Sequence, residues 1–155
     1  MQVEAANVQG QLMVLETLSQ YAAIMVLKQE YSEEKVQQFL ALQKDKYKEG
    51  KQRESREEPS LALVENQDYI YYAKGVMNMY ELQRNIGEDK VNLALKRFLE
   101  DWNTKDGKLK KSTKRYATTQ DLLGYFRAVT SDSLQYLITD FFEKVTPIEL
   151  SLIHI

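Results

Sequence analysis

The sequence predicts an all-α fold of about six helices. Apolar residues recur at helical spacing through most of the chain, only two prolines (Pro59 and Pro147) interrupt it, and glycine, serine or threonine separates the periodic runs. With 155 residues, 43% of them hydrophobic, the chain can bury one core, so residues 1–149 are expected to form a single unit.

Residues 11–30 follow Gly10 and read as the first helix, with Leu15, Leu18, Ala22, Met25 and Val26 as the stripe expected to be buried. The opposite side of this helix is also poor in charge. Ser32 is the expected N-cap of a second helix, favoured by Glu33 and Glu34 at its positive end and closing at Gly50. Its buried face would be Val36, Phe39, Leu40 and Tyr47. Residues 51–60 are highly charged and reach Pro59, which predicts an exposed loop, the most flexible part of the chain, leading into a short extended stretch at 61–64.

A third helix is expected over 69–86, stopping at Gly87, with a fourth, antiparallel neighbour marked by Val91, Leu95, Phe98, Leu99 and Trp102. After a basic loop at 105–115, Thr119 is the expected cap of a helix to about 129 and Ser131 of another to about 144, before Pro147 ends regular structure. No internal repeat argues for a solenoid.

Lys+Arg 21 against Asp+Glu 23 leaves a net charge of -2, so no global field draws the chain to nucleic acid or acidic membranes. The absence of cysteine excludes a disulfide framework and thiolate metal sites. The longest apolar run, 21–27, is far shorter than the roughly 20 residues that span a bilayer, and the start lacks the basic-then-apolar pattern of a signal peptide. The segment itself is expected to be soluble.

Four features could carry chemistry. Glu16 has Leu12, Ser19, Ala23 and Leu27 as helical neighbours, which suggests a carboxylate turned towards protein; it could be a metal ligand, or it could reach solvent or pair with a lysine. Tyr69, Tyr71 and Tyr72 cluster ahead of Lys74 and Gly75; such tyrosines usually pack with a wet hydroxyl, but a phenol that stays protonated at neutral pH also makes an oxyanion donor. Lys105, Lys108, Lys110, Lys111, Lys114 and Arg115 form a basic run with no interleaved aromatic platform, which reads as a solvated loop, so no nucleic-acid partner is expected. His154 is the only histidine, so this chain alone cannot assemble a zinc site with two imidazoles.

Two segments together resemble the gluzincin zinc aminopeptidases, in a bacterial branch in which the peptidase is joined to an ABC-transporter-type permease. Ala6-Asn7-Val8-Gln9-Gly10 followed by Leu15-Glu16-Thr17-Leu18-Ser19-Gln20-Tyr21 is similar to the stretch around that branch's glutamate zinc ligand. Glu65-Asn66-Gln67 through Tyr72-Ala73-Lys74-Gly75 is similar to its catalytic-tyrosine segment, and Asp121-Leu122-Leu123 and Asp132-Ser133-Leu134-Gln135-Tyr136-Leu137-Ile138-Thr139-Asp140 extend the likeness over nearly the whole chain. The resemblance implies that this is the C-terminal helical part of a thermolysin-like catalytic domain. It also implies that Glu16 ligates zinc and that Tyr72 stabilises the tetrahedral intermediate of peptide hydrolysis.

The family's other zinc ligands are the histidines of H-E-x-x-H, whose glutamate is the general base, and this chain contains no such motif. The element that holds the substrate's free amino group is missing too. Where the branch shows a histidine and a basic residue around the tyrosine, this sequence has Tyr71 and Ala73. The chain is therefore expected to be inactive alone. Its implied partners are a peptide substrate, the upstream half of the catalytic domain and, through the permease, a bacterial inner membrane. Leu150-Ser151-Leu152-Ile153-His154-Ile155 is similar to what a widely used sequencing adapter encodes in one frame, which sets 150–155 apart as a non-native tail. The competing expectation is a non-catalytic helical module that binds a protein partner through its tyrosine-rich and charged segments.

Overall fold

The computed structural model describes residues 8–102 and 116–146. The basic run at 105–115, His154 and the 150–155 tail lie outside the described residues. Among the described residues the fold is helical, with no strand. A π-helical turn, Met13–Thr17, runs into α1 (Leu18–Glu30), followed by α2 (Glu33–Arg53) and a 3-10 turn, Leu61–Leu63. A second π turn, Tyr69–Lys74, opens α3 (Gly75–Ile86), and α4 (Glu88–Trp102) and α5 (Thr119–Val129) come next. The last unit is a 3-10 turn, Asp132–Leu134, then α6 (Gln135–Ile138) and a third π turn, Thr139–Glu143.

Six α-helices match the expected architecture, and several local signals act as the sequence suggests. The Ser32 side chain caps α2 by accepting from the Lys35 amide. Val36, Leu40 and Tyr47 are buried on α2 and Phe39 is half-buried. Gly87 takes φ 99°, a backbone that ends α3 and that other residues rarely adopt. Val91, Phe98 and Trp102 form the inner face of α4, with Leu95 and Leu99 half-buried beside them.

Five expectations are corrected. In the first helix the buried set is Met13, Val14, Thr17, Tyr21 and Ile24, while Leu15 and Val26, 40% and 56% exposed, face outward with Ala22. With both sides poor in charge, the apolar pattern could not select the inward one. Helix α2 continues through Gly50 to Arg53; a Cβ on Gly50 would lie 2.2 Å from the Tyr69 Cβ, so this glycine admits a crossing chain instead of ending a helix. The 51–60 segment is not wholly exposed, because Glu58 and Ser60 are buried. Residues 61–63 form a 3-10 turn with Leu61 and Ala62 in the core, not an extended stretch. Finally, Thr118, not Thr119, caps α5, in a reciprocal capping box with Asp121. Thr119 is buried and donates to the Gly10 carbonyl at 2.7 Å, tying the start of the described chain to α5.

The core runs between the helices through Met13, Ile24, Leu40, Ile70, Met79, Phe98, Phe126 and Phe142, all 1% exposed or less. Phe126 stacks on Phe142 with centroids 5.8 Å apart, and the Asn78 amide donates to the Phe141 carbonyl at 2.8 Å, so the last π turn is held against both α5 and α3. Arg127 fastens the same turn from α5, pairing with Glu143 and donating to Thr139. No helix among the described residues is long and apolar enough to cross a membrane.

Candidate functional site

Glu16 and Tyr72 lie 56 positions apart in sequence, and each sits on a π turn. A π turn bonds i to i+5 and bulges the backbone outward, an arrangement rare in proteins and frequent at functional sites. The two turns pack on each other. At their crossing the buried Thr17 hydroxyl donates to the Tyr71 carbonyl at 2.5 Å. The approach is close because position 75 is glycine: a Cβ there would lie 2.5 Å from Thr17 Oγ1 and 2.7 Å from its Cγ2.

This crossing brings the two candidate residues together. The Glu16 carboxylate lies near the Tyr72 hydroxyl, and its hydrogen-bonding pull, burial and its negative charge raise the phenol above its ordinary value. Burial and the charges of Asp68 and Glu16 likewise raise Tyr71, whose ring meets that of Tyr72 edge-on with centroids 4.6 Å apart. Both Glu16 and Tyr72 are half-buried, so the pair is held by protein yet open to a ligand. Among the described residues no lysine or arginine pairs with Glu16. The carboxylate thus has a free oxygen to offer a cation, while the phenol remains a hydrogen-bond donor at neutral pH.

The far side of the second π turn is fastened by a network that sequence reading missed. Lys74 and Glu58, with side chains 3% and 2% exposed, form a buried ion pair. Glu58 also pairs with Lys51 from the end of α2 and accepts from the Tyr47 hydroxyl at 2.7 Å. Lys74 lies 5.6 Å from the centre of the Tyr47 ring. Burial pushes the Glu58 carboxyl up, but the hydrogen bonds from Lys51, Lys74 and Tyr47 outweigh it and hold the group below its usual range. Lys74 is lowered, since burial outweighs the stabilisation it receives from Glu58. One signal was legible: Lys74 interrupts the run from Ala73 to Tyr80, all buried, and a lysine there requires a counter-charge.

Tyr72 also forms part of the wall of a cleft of about 550 Å³ between α2 and the stretch 66–73. Glu16 is not in that wall, although Gln20, one turn further along the same helix, is.

A zinc site needs three protein ligands and one open position. Among the described residues no group of three or more histidine, aspartate or glutamate side chains converges to hold a metal ion. A half-buried carboxylate without a cationic partner among the described residues, such as Glu16, has the chemistry of one zinc ligand; no other such ligands converge on it there. No protein-family model matches the chain, nor does any curated protein or solved structure.

Proposed function

We propose that this chain is the helical, C-terminal part of a zinc-dependent aminopeptidase domain of the gluzincin type, to which it contributes a metal ligand, Glu16, and an oxyanion donor, Tyr72. One observation carries the reading. The two residues singled out by the family resemblance, remote in sequence, meet on packed π turns, and the carboxylate has no cationic partner among the described residues. A half-exposed carboxylate set beside a phenol, with no lysine or arginine claiming it among the described residues, is open to a metal ion.

A bound zinc supplies an acidified water and polarises the substrate carbonyl. This chain does the rest of its share with its own groups. Glu16 fixes the Tyr72 hydroxyl and, by its charge, keeps it protonated. Tyr72 would turn its single proton from Glu16 to the oxygen that gains charge as a peptide carbonyl becomes tetrahedral, an interaction stronger in the transition state than in the ground state. The histidine ligands and the general base would come from an H-E-x-x-H in the upstream half of the domain, and attachment to a bacterial inner membrane from a fused permease.

A second reading, a helical interaction module without catalysis, is favoured by the outward apolar side of the first helix, where Leu15 and Val26 are 40% and 56% exposed. One experiment separates the two: determine the polypeptide that precedes Met1, then assay the longer protein on an aminoacyl reporter. The peptidase reading expects H-E-x-x-H about twenty residues before Glu16. It also expects zinc-dependent hydrolysis whose kcat falls by about 100-fold or more in Tyr72→Phe. A preceding frame without histidines, or a Tyr72→Phe enzyme of undiminished kcat, would replace it with the interaction module. The 155-residue chain alone is expected to hydrolyse nothing.

A further inference from the structure

We propose that the Arg127–Glu143 pair is the release point of a closed circuit of bonds that holds the turn carrying Tyr72, so that opening this pair loosens that turn from a distance. The circuit has four links. Thr17, in the first π turn, donates to the Tyr71 carbonyl in the second at 2.5 Å. The second π turn continues into α3, where Asn78 donates to the Phe141 carbonyl in the third π turn at 2.8 Å. The third π turn is tied to α5, because Arg127 pairs with Glu143 and donates to Thr139. At the other end of α5, Thr119 donates to the Gly10 carbonyl, which also receives the amide of Met13 at the start of the first π turn. The path thus returns to where it began.

Two of the links capture carbonyls that the π turns leave over. In the second turn the Ile70 carbonyl accepts from the Gly75 amide, five residues on, and α3 then resumes four-residue spacing, which passes over the Tyr71 carbonyl. In the third, the last helical bond runs from the Lys144 amide to the Thr139 carbonyl, and the Phe141 carbonyl lies beyond it at the helix end. Thr17, Asn78 and Thr119 are all buried, so breaking any of their bonds strands a polar group inside the fold. Arg127 and Glu143 differ, with side chains 35% and 32% exposed. Theirs is the link that ions or a charged partner can open without entering the core. A closed circuit also cooperates: once one link is cut, the others restrain less, and a second cut loosens less. The mechanical coupling stands apart from any reaction; that it regulates activity, by withdrawing the Tyr72 hydroxyl, rests on the peptidase reading.

The test is amide hydrogen exchange, followed by NMR on the 155-residue chain without metal or substrate. Glu143→Gln, which keeps the shape and removes the charge, should speed exchange at Ala73 and Gly75 about two- to fivefold. Val36 and Leu40 on α2, outside the circuit, should keep the parent rate. Thr119→Val should speed the same two amides about three- to tenfold. In the double variant the acceleration should fall short of the product of the two, because the circuit is already open. Glu88→Gln breaks an equally exposed pair with Lys28 outside the circuit and should leave Ala73 and Gly75 unchanged. Should Thr119→Val fail to fold, Glu143→Gln against Glu88→Gln decides the matter. Unchanged exchange at Ala73 and Gly75 in Glu143→Gln, or accelerations that multiply in the double variant, would overturn the proposal. A uniform rise that includes Val36 and Leu40 would overturn it too, since it would show only a general loss of stability. The expected pattern in a longer protein that lacks peptidase activity would sink the catalytic reading and leave the circuit standing.

Discussion

The π turn Tyr69–Lys74 meets two glutamates, and the fold uses them in opposite ways. Glu58, buried behind the turn, is saturated by Lys74, Lys51 and Tyr47. Glu16, half-buried in front of it, lies near the Tyr72 hydroxyl and has no cation among the described residues. The same residue type on two sides of six residues thus stands in two environments: one carboxylate anchors the backbone, and the other has no cationic partner among the described residues. A charge that must hold structure is paired until nothing remains to react, whereas a charge kept for a ligand is left partly unsatisfied.

If that contrast is right, removing Glu58 is the most damaging change. Glu58→Gln leaves Lys74 buried without its counter-charge and should cost about 3–5 kcal/mol of stability, read by urea denaturation. The loss should shrink as pH rises. Lys74 is already lowered in the folded state, so the unfolded chain holds its proton to higher pH, and stability recovers between the folded and the unfolded pKa. In the parent, Glu58 makes the opposite contribution. A depressed carboxylate stabilises fully above the ordinary glutamate value, and the benefit disappears as pH falls through the folded value. A melting temperature measured from about pH 6 to about pH 2 should therefore decline more steeply in the parent than in Glu58→Gln.

A smaller effect is expected at the crossing of the turns. Thr17→Val keeps the shape but leaves the Tyr71 carbonyl without its donor, which should cost about 1–3 kcal/mol. Because Thr17 adjoins Glu16, the same variant should loosen the Glu16–Tyr72 contact, visible as a Tyr72 phenol titrating closer to its ordinary value. The smallest change belongs to the site itself. Glu16→Gln should alter stability by no more than about 0.5 kcal/mol, as expected of a half-exposed group in no ion pair. A large loss there would mean that Glu16 is structural after all and would erase the contrast.

Much of the helical order was legible because local chemistry decides it: Ser32 with its acidic first turn, Gly87 as a stop, and the apolar spacing on α4 need no distant partner. What failed depended on distant partners. Glu58 sits in a run of charges that reads as solvated, and only the buried Lys74, sixteen residues on, reveals why one of them is inside. Gly50 resembles a helix end until Tyr69 is seen packed on it. The stripe on the first helix was misassigned because an apolar helix with little charge on any side offers no preferred inward face. At the site, the resemblance named Glu16 and Tyr72, while Thr17, Gly75 and the π turns that bring them together left no signal in residue spacing. The unpartnered Tyr69 hydroxyl was equally invisible, since only three-dimensional packing shows which buried polar groups lack a partner.

Labelling the tyrosines with carbon-13 at Cζ and titrating Tyr72 by NMR, in the parent and in Glu16→Gln, tests most directly whether these two residues form one site. The parent phenol should titrate above the ordinary tyrosine value of about 10, and Glu16→Gln should return it towards that value, because both the accepting carboxylate and its charge are gone. A Tyr72 pKa identical in the two proteins would show that Glu16 and Tyr72 are not in contact and would remove the basis of the proposed active site.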